Sequence, residues 1–434
     1  MKILRIGLLG LGQIGSAVYQ ALSHKKSFFK NDLGVVYEIA GIAVKNPRKK
    51  RQLKVPRHLL ASSAQALLKD PSIDIIVELI GGVKEARKYV LEALSQGKHV
   101  VTANKALLAE YGDEIFRAAN RYNRWILFEA SVGGGIPVMK ALREGLVANR
   151  IDSVHAIING TSNYILTQMS HQHSEFKQAL KEAQDKGYAE ADPTFDVEGV
   201  DAAHKLAILA RFAFGGSVAF KDIYCEGISQ IRSEDISFAE EFGYCIKLLA
   251  IAKLTSDGVE ARVQPTLLPK SHILASVNGS FNAVLLRGDQ TGEVLLYGRG
   301  AGPKPTASAV LSDLTDIAIR EDFRLNAGEQ KMRAIAKKLK VKNISSILSR
   351  YYLRFHVVDK PGVLAGIAKI LGHHSISISD VIQKERSHGN VVPLILLTHG
   401  THEQQIRQSV KEIQRLAMLK GKAQIIRIEG SAGA

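Results

Sequence analysis

An apolar run, ILRIGLL at residues 3–9, leads directly into GLGQIG at 10–15. This junction constrains the fold more than any other stretch. A short apolar run ending at glycine reads as a buried parallel strand. The G-x-G-x-x-G turn then opens an amphipathic stretch over 13–24, read as a helix. Alone the glycine pattern is weak. Placed between a strand and a helix, near the start of an alternating segment, it is strong. VVYEIAGIAV (35–44), IDIIVELI (73–80) and KHVVTAN (98–104) read as further strands, and KEARKYVLEALSQG between them as a helix ending at glycine. WILFEASVGGGIP at 125–137 reads as the last strand of this segment. The fold class is therefore α/β, a Rossmann-type doubly wound parallel sheet.

That architecture implies a dinucleotide. Gly10 permits the tight turn, Gly12 lets the backbone approach a pyrophosphate, and Gly15 allows close packing. The anion would sit at the helix N-terminus, on amides that include those of Gln13 and Ile14. The end of the second strand chooses between NAD and NADP. After Val44 come Lys45, Asn46, Pro47 and Arg48, with no carboxylate. Glu38 lies mid-strand and should point elsewhere. Lys45 and Arg48 favour the 2′-phosphate of NADP, with NAD as the alternative; a solvated basic loop is the bland reading of the same residues.

The chain's 434 residues exceed one compact core. The alternating pattern is expected to form a nucleotide-binding domain over 1–135, completed by a helix near 305–320. A second, α+β domain is expected over 136–320, and a charged linker with some helix over 321–350. The tail, 351–430, reads strand–helix–strand–strand–helix–strand, a ferredoxin-like βαββαβ unit. The two cysteines, Cys225 and Cys245, form no disulfide framework and suggest a reducing, cytoplasmic setting. Arg5 interrupts the only signal-peptide-like run, and no apolar stretch is long enough to suggest a membrane partner. The net charge of +16 raises nucleic acid as a partner, but the basic residues are scattered and aromatics make up only 6%. An anionic small molecule is the better expectation.

Three stretches carry chemistry. In VTANKALLAEYG (101–112), Lys105 follows a strand's C-terminal end, the edge at which open α/β sheets bind ligands. In FEASVGGGIPVMKAL (128–142), Glu129 and a run of glycines offer oxygen ligands for a hard cation, or merely a hinge. In GYAEADPTFDVEGVDAAHK (187–205), Asp201 and Lys205 stand four apart on a predicted helix. An exposed pair of this kind contributes only about 0.3–0.5 kcal/mol. The helix continues as AAHKLAILARFAF, however, which should be buried. A lysine there is a candidate proton donor to a substrate oxygen.

From Ala183 the sequence runs A-x-x-x-G-Y-x-E-x-D-P-x-x-D-V-x-G-V-D-x-x-x-K, ending at Lys205. In this, and in TANKALLA and GGGIPV, residues 1–320 resemble the homoserine dehydrogenase family. VVDKPGVLAGIAKIL and the βαββαβ order make the tail resemble an ACT domain, as long members of that family carry. The resemblance implies NAD(P)-dependent interconversion of L-homoserine and L-aspartate 4-semialdehyde, in threonine, methionine and isoleucine biosynthesis. It implies that Lys205 donates the proton, that Lys105 contacts cofactor and substrate, and that Glu190 binds the substrate ammonium. Asp201 would orient substrate or a water, Asp196 would line the same pocket, and Gly187 and Gly302 would touch the cofactor. A monovalent cation, usually sodium, maps to Glu129 and the carbonyls of Val132, Gly134 and Ile136. A homodimer or homotetramer is implied, with 136–320 as the α+β catalytic and dimerisation domain. Threonine is the implied effector, at the loop Asp359–Val363, with a ligand-free dimerisation module as the alternative. Another amino-acid dehydrogenase, or a non-catalytic ligand sensor, would lack a reason for both lysines and the carboxylates of 187–205.

Overall fold

A computed structural model describes residues 2–51, 53–322, 338–383 and 391–430. The chain divides into two compact units. One comprises Met1–Val154, Ala203–Ile223 and Phe281–Leu339, the other His155–Ala202, Tyr224–Ser280 and Lys340–Ala434.

The chain opens with β1 (Lys2–Leu9), α1 (Gln13–His24), α2 (Lys26–Asp32) and β2 (Val35–Ala43). After β3 (Leu60–Ala61) and α3 (Ala64–Lys69) it alternates through β4 (Ile75–Glu78), α4 (Lys84–Ser95), β5 (His99–Thr102), α5 (Lys105–Arg121) and β6 (Ile126–Leu127). The strands lie in the order β3-β2-β1-β4-β5-β6, and every adjacent pair is parallel. The order reverses at β1, so the crevice outside its C-terminal end is the expected ligand position. α4 stops where Gly97 turns left-handed, at φ +76°. The stretch read as a last strand is strand only over Ile126–Leu127. It then tightens into a 3-10 turn at Glu129–Ser131 before the short α6 (Val138–Lys140).

The order continues with β7 (Ile151–Ile157), α7 (Gly160–Gln172), α8 (Phe176–Asp185), α9 (Thr194–Val197) and α10 (Val200–Phe214). Next come β8 (Tyr224–Cys225), α11 (Ser233–Glu241), β9 (Tyr244–Thr255) and β10 (Gly258–Pro269). β9 and β10 pair antiparallel along their whole length, from Thr255↔Gly258 to Tyr244↔Pro269. β11 (Phe281–Gly288) and β12 (Gly292–Arg299) form a second antiparallel hairpin, in the first unit. α12 (Pro303–Asp322) returns to the first sheet. Its Val310, Leu314 and Ile317 share one buried cluster with Leu8, Val18 and Val101.

The tail supplies β13 (Leu348–Val358), α13 (Val363–His373), β14 (Ile378–Gln383), β15 (Val391–Thr398), β16 (Thr401–His402), α14 (Glu403–Ile413) and β17 (Gln424–Ile428). Of the stretch expected to be a linker, 323–337 lies outside the described residues. β17, β13, β15 and β14 form an antiparallel sheet in that order. Tyr351, Leu353 and Phe355 pack beneath Ile367 of α13 and Ile406 of α14. This sheet does not end at β17. β10 pairs parallel with it through Thr266↔Arg427 and Leu267↔Ile428. The second unit therefore carries the continuous order β9-β10-β17-β13-β15-β14.

Arginine side chains fasten that junction. Arg354 forks onto Asp235 at 2.6 and 3.1 Å. Arg427 reaches Glu403 at 2.8 Å and Glu226 at 2.8 Å. Arg262 meets Glu260 at 2.6 Å and Glu429 at 3.1 Å. These three arginines are among the largest fully buried side chains. Forked guanidinium–carboxylate pairs are the arrangement that makes such burial tolerable. Among the described residues no helix is long and apolar enough to cross a membrane.

Candidate active site

The glycine turn after β1 has three different local geometries. Gly10 sits at φ +98°, and a Cβ there would meet the Leu79 carbonyl oxygen at 2.7 Å. Its amide donates to Ala43 at 2.9 Å, locking the turn onto the end of β2. Gly12 caps α1 with no side-chain partner, and nothing lies within 4 Å of where its Cβ would be. The first-turn amides of α1, those of Gln13 and Ile14 included, thus face open space with the positive end of the helix dipole behind them. A Cβ on Gly15 would lie 2.3 Å from the Gly10 carbonyl oxygen, so its close packing is against the turn itself rather than a strand.

Beyond β2, Asn46 folds the basic loop by accepting from the Arg48 amide at 2.9 Å. The Arg51 guanidinium satisfies the carbonyls of Asn46 and Lys49 at 2.8 and 2.9 Å. Lys45 and Arg48 are left exposed, as is Glu38 further back on the strand.

The C-terminal ends of β4 and β5 are tied together by Thr102 and Asn104 of the strand exit, and by Glu78, to which the sequence alone assigns no role. Glu78 is fully buried and accepts from the Thr102 hydroxyl at 2.6 Å and the Ile80 amide at 2.9 Å. Burial pushes its carboxyl above the ordinary range, while these donors pull the other way. Asn104 caps α5 by accepting from Leu107 at 3.1 Å and donates to the Gly82 carbonyl at 2.6 Å. Lys105 is therefore the first residue of a helix whose start is pinned to the sheet edge. The one signal for Glu78 was an acid at the end of an otherwise apolar strand.

Lys205 lies on α10, whose residues 201–213 are all buried. Asp201 is 3% exposed and Lys205 9%. The pair that could have been surface decoration is thus inside the protein, one helical turn apart. In the first unit α10 packs on α5. His204 lies 4.0 Å from Glu110, Arg211 pairs with Asp113, and Phe212 meets Phe116 edge-on at 5.7 Å. Lys105 and Lys205 thus lie on two helices that pack on one another.

The glycine-rich stretch after β6 is buried rather than an exposed turn: only Gly135 and Pro137 between Ser131 and Lys140 are exposed. Gly133 and Gly134 are left-handed, at φ +76° and +57°. The Glu129 carboxylate accepts from the amides of Met139 and Lys140 at 2.8 and 2.7 Å, so it anchors the start of α6. Burial raises its pKa, against those hydrogen bonds and the Arg143 charge. The Ile136 carbonyl accepts from Val138 at 2.8 Å. Among the described residues none donates a hydrogen bond to the carbonyls of Val132 or Gly134. No cluster of three or more His, Cys, Asp or Glu suited to a metal occurs among the described residues, so any cation here would rely on backbone oxygens.

In the second unit the acidic stretch is organised around Asn159. Its amide donates to Asp196 at 2.7 Å and to Asp201 at 2.8 Å. Glu190 is exposed, and its carbonyl accepts from Gln184 at 3.0 Å. Gly187 ends α8 in the left-handed region at φ +74°. Gly302, at φ +114°, precedes α12 and accepts from the Thr306 amide at 3.1 Å.

Known proteins share the architecture of this chain. A family model described as "Homoserine dehydrogenase, NAD binding domain" matches residues 10–129, one described as "Homoserine dehydrogenase" matches 137–315, and an ACT domain model matches 351–417. The chain is 44% identical over 432 residues to a homoserine dehydrogenase of Neisseria gonorrhoeae, covering 99% of each. It is similar to the crystal structure of a homoserine dehydrogenase from Thiobacillus denitrificans, with a TM-score of 0.92, 45% identity and 99% coverage of both chains. A hyperthermophilic archaeal homoserine dehydrogenase in complex with NADPH matches 75% of this chain and 100% of its own, with a TM-score of 0.62 and 28% identity.

Proposed function

The chain belongs to the homoserine dehydrogenase family and is a nicotinamide-dependent oxidoreductase, and from that premise we propose that it interconverts L-homoserine and L-aspartate 4-semialdehyde with NADP in the cytoplasm. The observation that carries this reading is Lys205, a buried lysine one turn from the buried Asp201 on a helix whose other positions are mostly apolar. Here it supplies the proton that the semialdehyde oxygen needs as it becomes a hydroxyl, and holds the developing negative charge until then. Lys105, at the pinned start of α5, steadies the same oxygen and the cofactor. Glu190 takes the substrate ammonium, Asp201 orients the substrate, Asp196 lines its pocket, and Gly187 borders both that pocket and the cofactor. The nicotinamide, when bound, supplies or accepts the hydride. Its pyrophosphate rests on the open face at Gly12 and its flanking backbone Gly10, Gln13, Ile14 and Gly15, with Gly302 beside it. The exposed Lys45 and Arg48, on a loop without a carboxylate, favour the 2′-phosphate of NADP.

Carbonyl oxygens of Val132, Gly134 and Ile136, beside Glu129, suit a monovalent cation such as sodium, which would hold the glycine-rich turn in shape. Threonine acts as a feedback effector through the ACT domain, and the enzyme works as a homodimer or homotetramer in threonine, methionine and isoleucine biosynthesis. The deciding experiment is homoserine-dependent reduction of NADP and of NAD, with and without sodium and threonine. Replacing Lys45 and Arg48 with alanine raises KM for NADP much more than for NAD. An equal rise for both removes the NADP assignment, and no homoserine-dependent reduction at all removes the proposal.

A further inference from the structure

Asp196 and Asp201 are held by something other than their own segment. Asn159 is buried, and each of its two amide protons goes to a different carboxylate, Asp196 at 2.7 Å and Asp201 at 2.8 Å. Its carbonyl oxygen accepts from the Ser162 amide at 2.8 Å, capping α7. That bond fixes which end of the amide faces the acids, since a flipped amide would turn its oxygen toward two carboxylates. The rest of the turn continues the same task. The Thr161 hydroxyl donates to the Tyr188 carbonyl at 2.7 Å, and the Ser162 hydroxyl to the Asp196 carbonyl at 2.9 Å. Residues 159–162 thus grip the acidic stretch at its near end, its middle and the start of α10.

We propose that Asn159 is a positioning residue for the reaction: through it the first turn of α7 sets the spacing and orientation at which Asp196 and Asp201 meet the substrate. This rests on the reading that those two aspartates face homoserine. Two charged acceptors on one neutral donor group keep both carboxylates apart and aimed, and charge-assisted hydrogen bonds are the strong kind. The bland alternative is that Asn159 merely caps a helix.

Asn159→Ser separates the two, because serine caps as well as asparagine but cannot reach both acids. The expected result is a folded enzyme with unchanged NADPH affinity, with KM for L-homoserine raised roughly tenfold or more and kcat affected less, as for loss of ground-state orientation. Asn159→Asp, nearly isosteric and also a good cap, is the second variant; it sets a third carboxylate against the two and raises KM further. Unchanged homoserine KM in either folded variant overturns the inference. Asp196→Asn and Asp201→Asn locate the fault. If they raise KM while the Asn159 variants do not, only the inference fails. If all four leave KM unchanged, the aspartates do not face the substrate, and the reading beneath it fails too.

Discussion

At the scale of single residues, the arrangement separates groups that serve chemistry from groups that serve shape. Lys205→Ala removes the proton donor but leaves the cofactor crevice untouched. Turnover should fall by on the order of a hundredfold or more while NADPH still binds, as read by steady-state kinetics and fluorescence titration. Near-normal turnover would take Lys205 out of the mechanism. The glycines predict an opposite pair of outcomes. Nothing occupies the space before Gly12, so Gly12→Ala folds with a normal melting temperature yet binds NADPH at least roughly tenfold more weakly. Gly15→Ala drives a methyl into the Gly10 carbonyl and should cost about 1–3 kcal/mol of stability, measured by urea unfolding. The roles of these glycines could be read from their spacing because each is a backbone requirement. Asn159 gave no such signal. An asparagine before a glycine reads as a turn or a cap, and only the folded chain reveals which carboxylates, 37 and 42 positions away, its amide serves.

At the scale of elements, periodicity revealed the parallel strands, because burial on both faces makes them continuous apolar runs. α10 was legible for the same reason. β9 was not: YCIKLLAIAKLT is an apolar dozen that suits a buried helix as well as a strand. Its antiparallel register with β10 decides the matter. Nor do buried arginines announce themselves, since Arg262, Arg354 and Arg427 look in sequence like ordinary contributors to the +16 charge. Their burial makes a testable demand. Arg354→Ala leaves Asp235, 0% exposed, without its forked partner, and should cost about 3–5 kcal/mol in chemical denaturation. Adding Asp235→Asn with Arg354→Met should recover part of that loss. Glu429 makes a second demand. Burial alone would raise its pKa, but His155, Lys253 and Arg262 hold it well below the ordinary 4.5. A depressed carboxylate stabilises the folded state above its unfolded pKa and loses that contribution as pH falls. The melting-temperature gap between the native chain and Glu429→Gln should therefore be full near neutrality and shrink as pH drops below about 4.5. A gap that stays constant on acidification would exclude the coupling.

At the scale of the molecule, the tail was legible as a βαββαβ unit, but not its seam with the body. A strand pattern shows which face is apolar and says little about which neighbour will pair with its edge. Parallel pairing of β10 with β17 and the arginine pairs make the tail structurally continuous with the second unit. A chain truncated near residue 340 should consequently lose solubility or melt well below the intact protein, because Asp235 and Glu226 would be stranded without Arg354 and Arg427. Threonine is better tested on the intact enzyme. Activity should fall as threonine is titrated, and an enzyme indifferent to it removes the feedback role.

The seam also limits what recombination can do with this gene. Arg427 reaches back 201 positions to Glu226, and Arg354 reaches 119 to Asp235. A chimera that takes its tail from one relative and its body from another keeps each pair only where the body supplies the carboxylate and the tail the arginine. Crossovers placed between residues 340 and 348 look innocuous in an alignment, yet they would separate every one of these partners at a single stroke. A boundary at that point cuts across the seam instead of beside it.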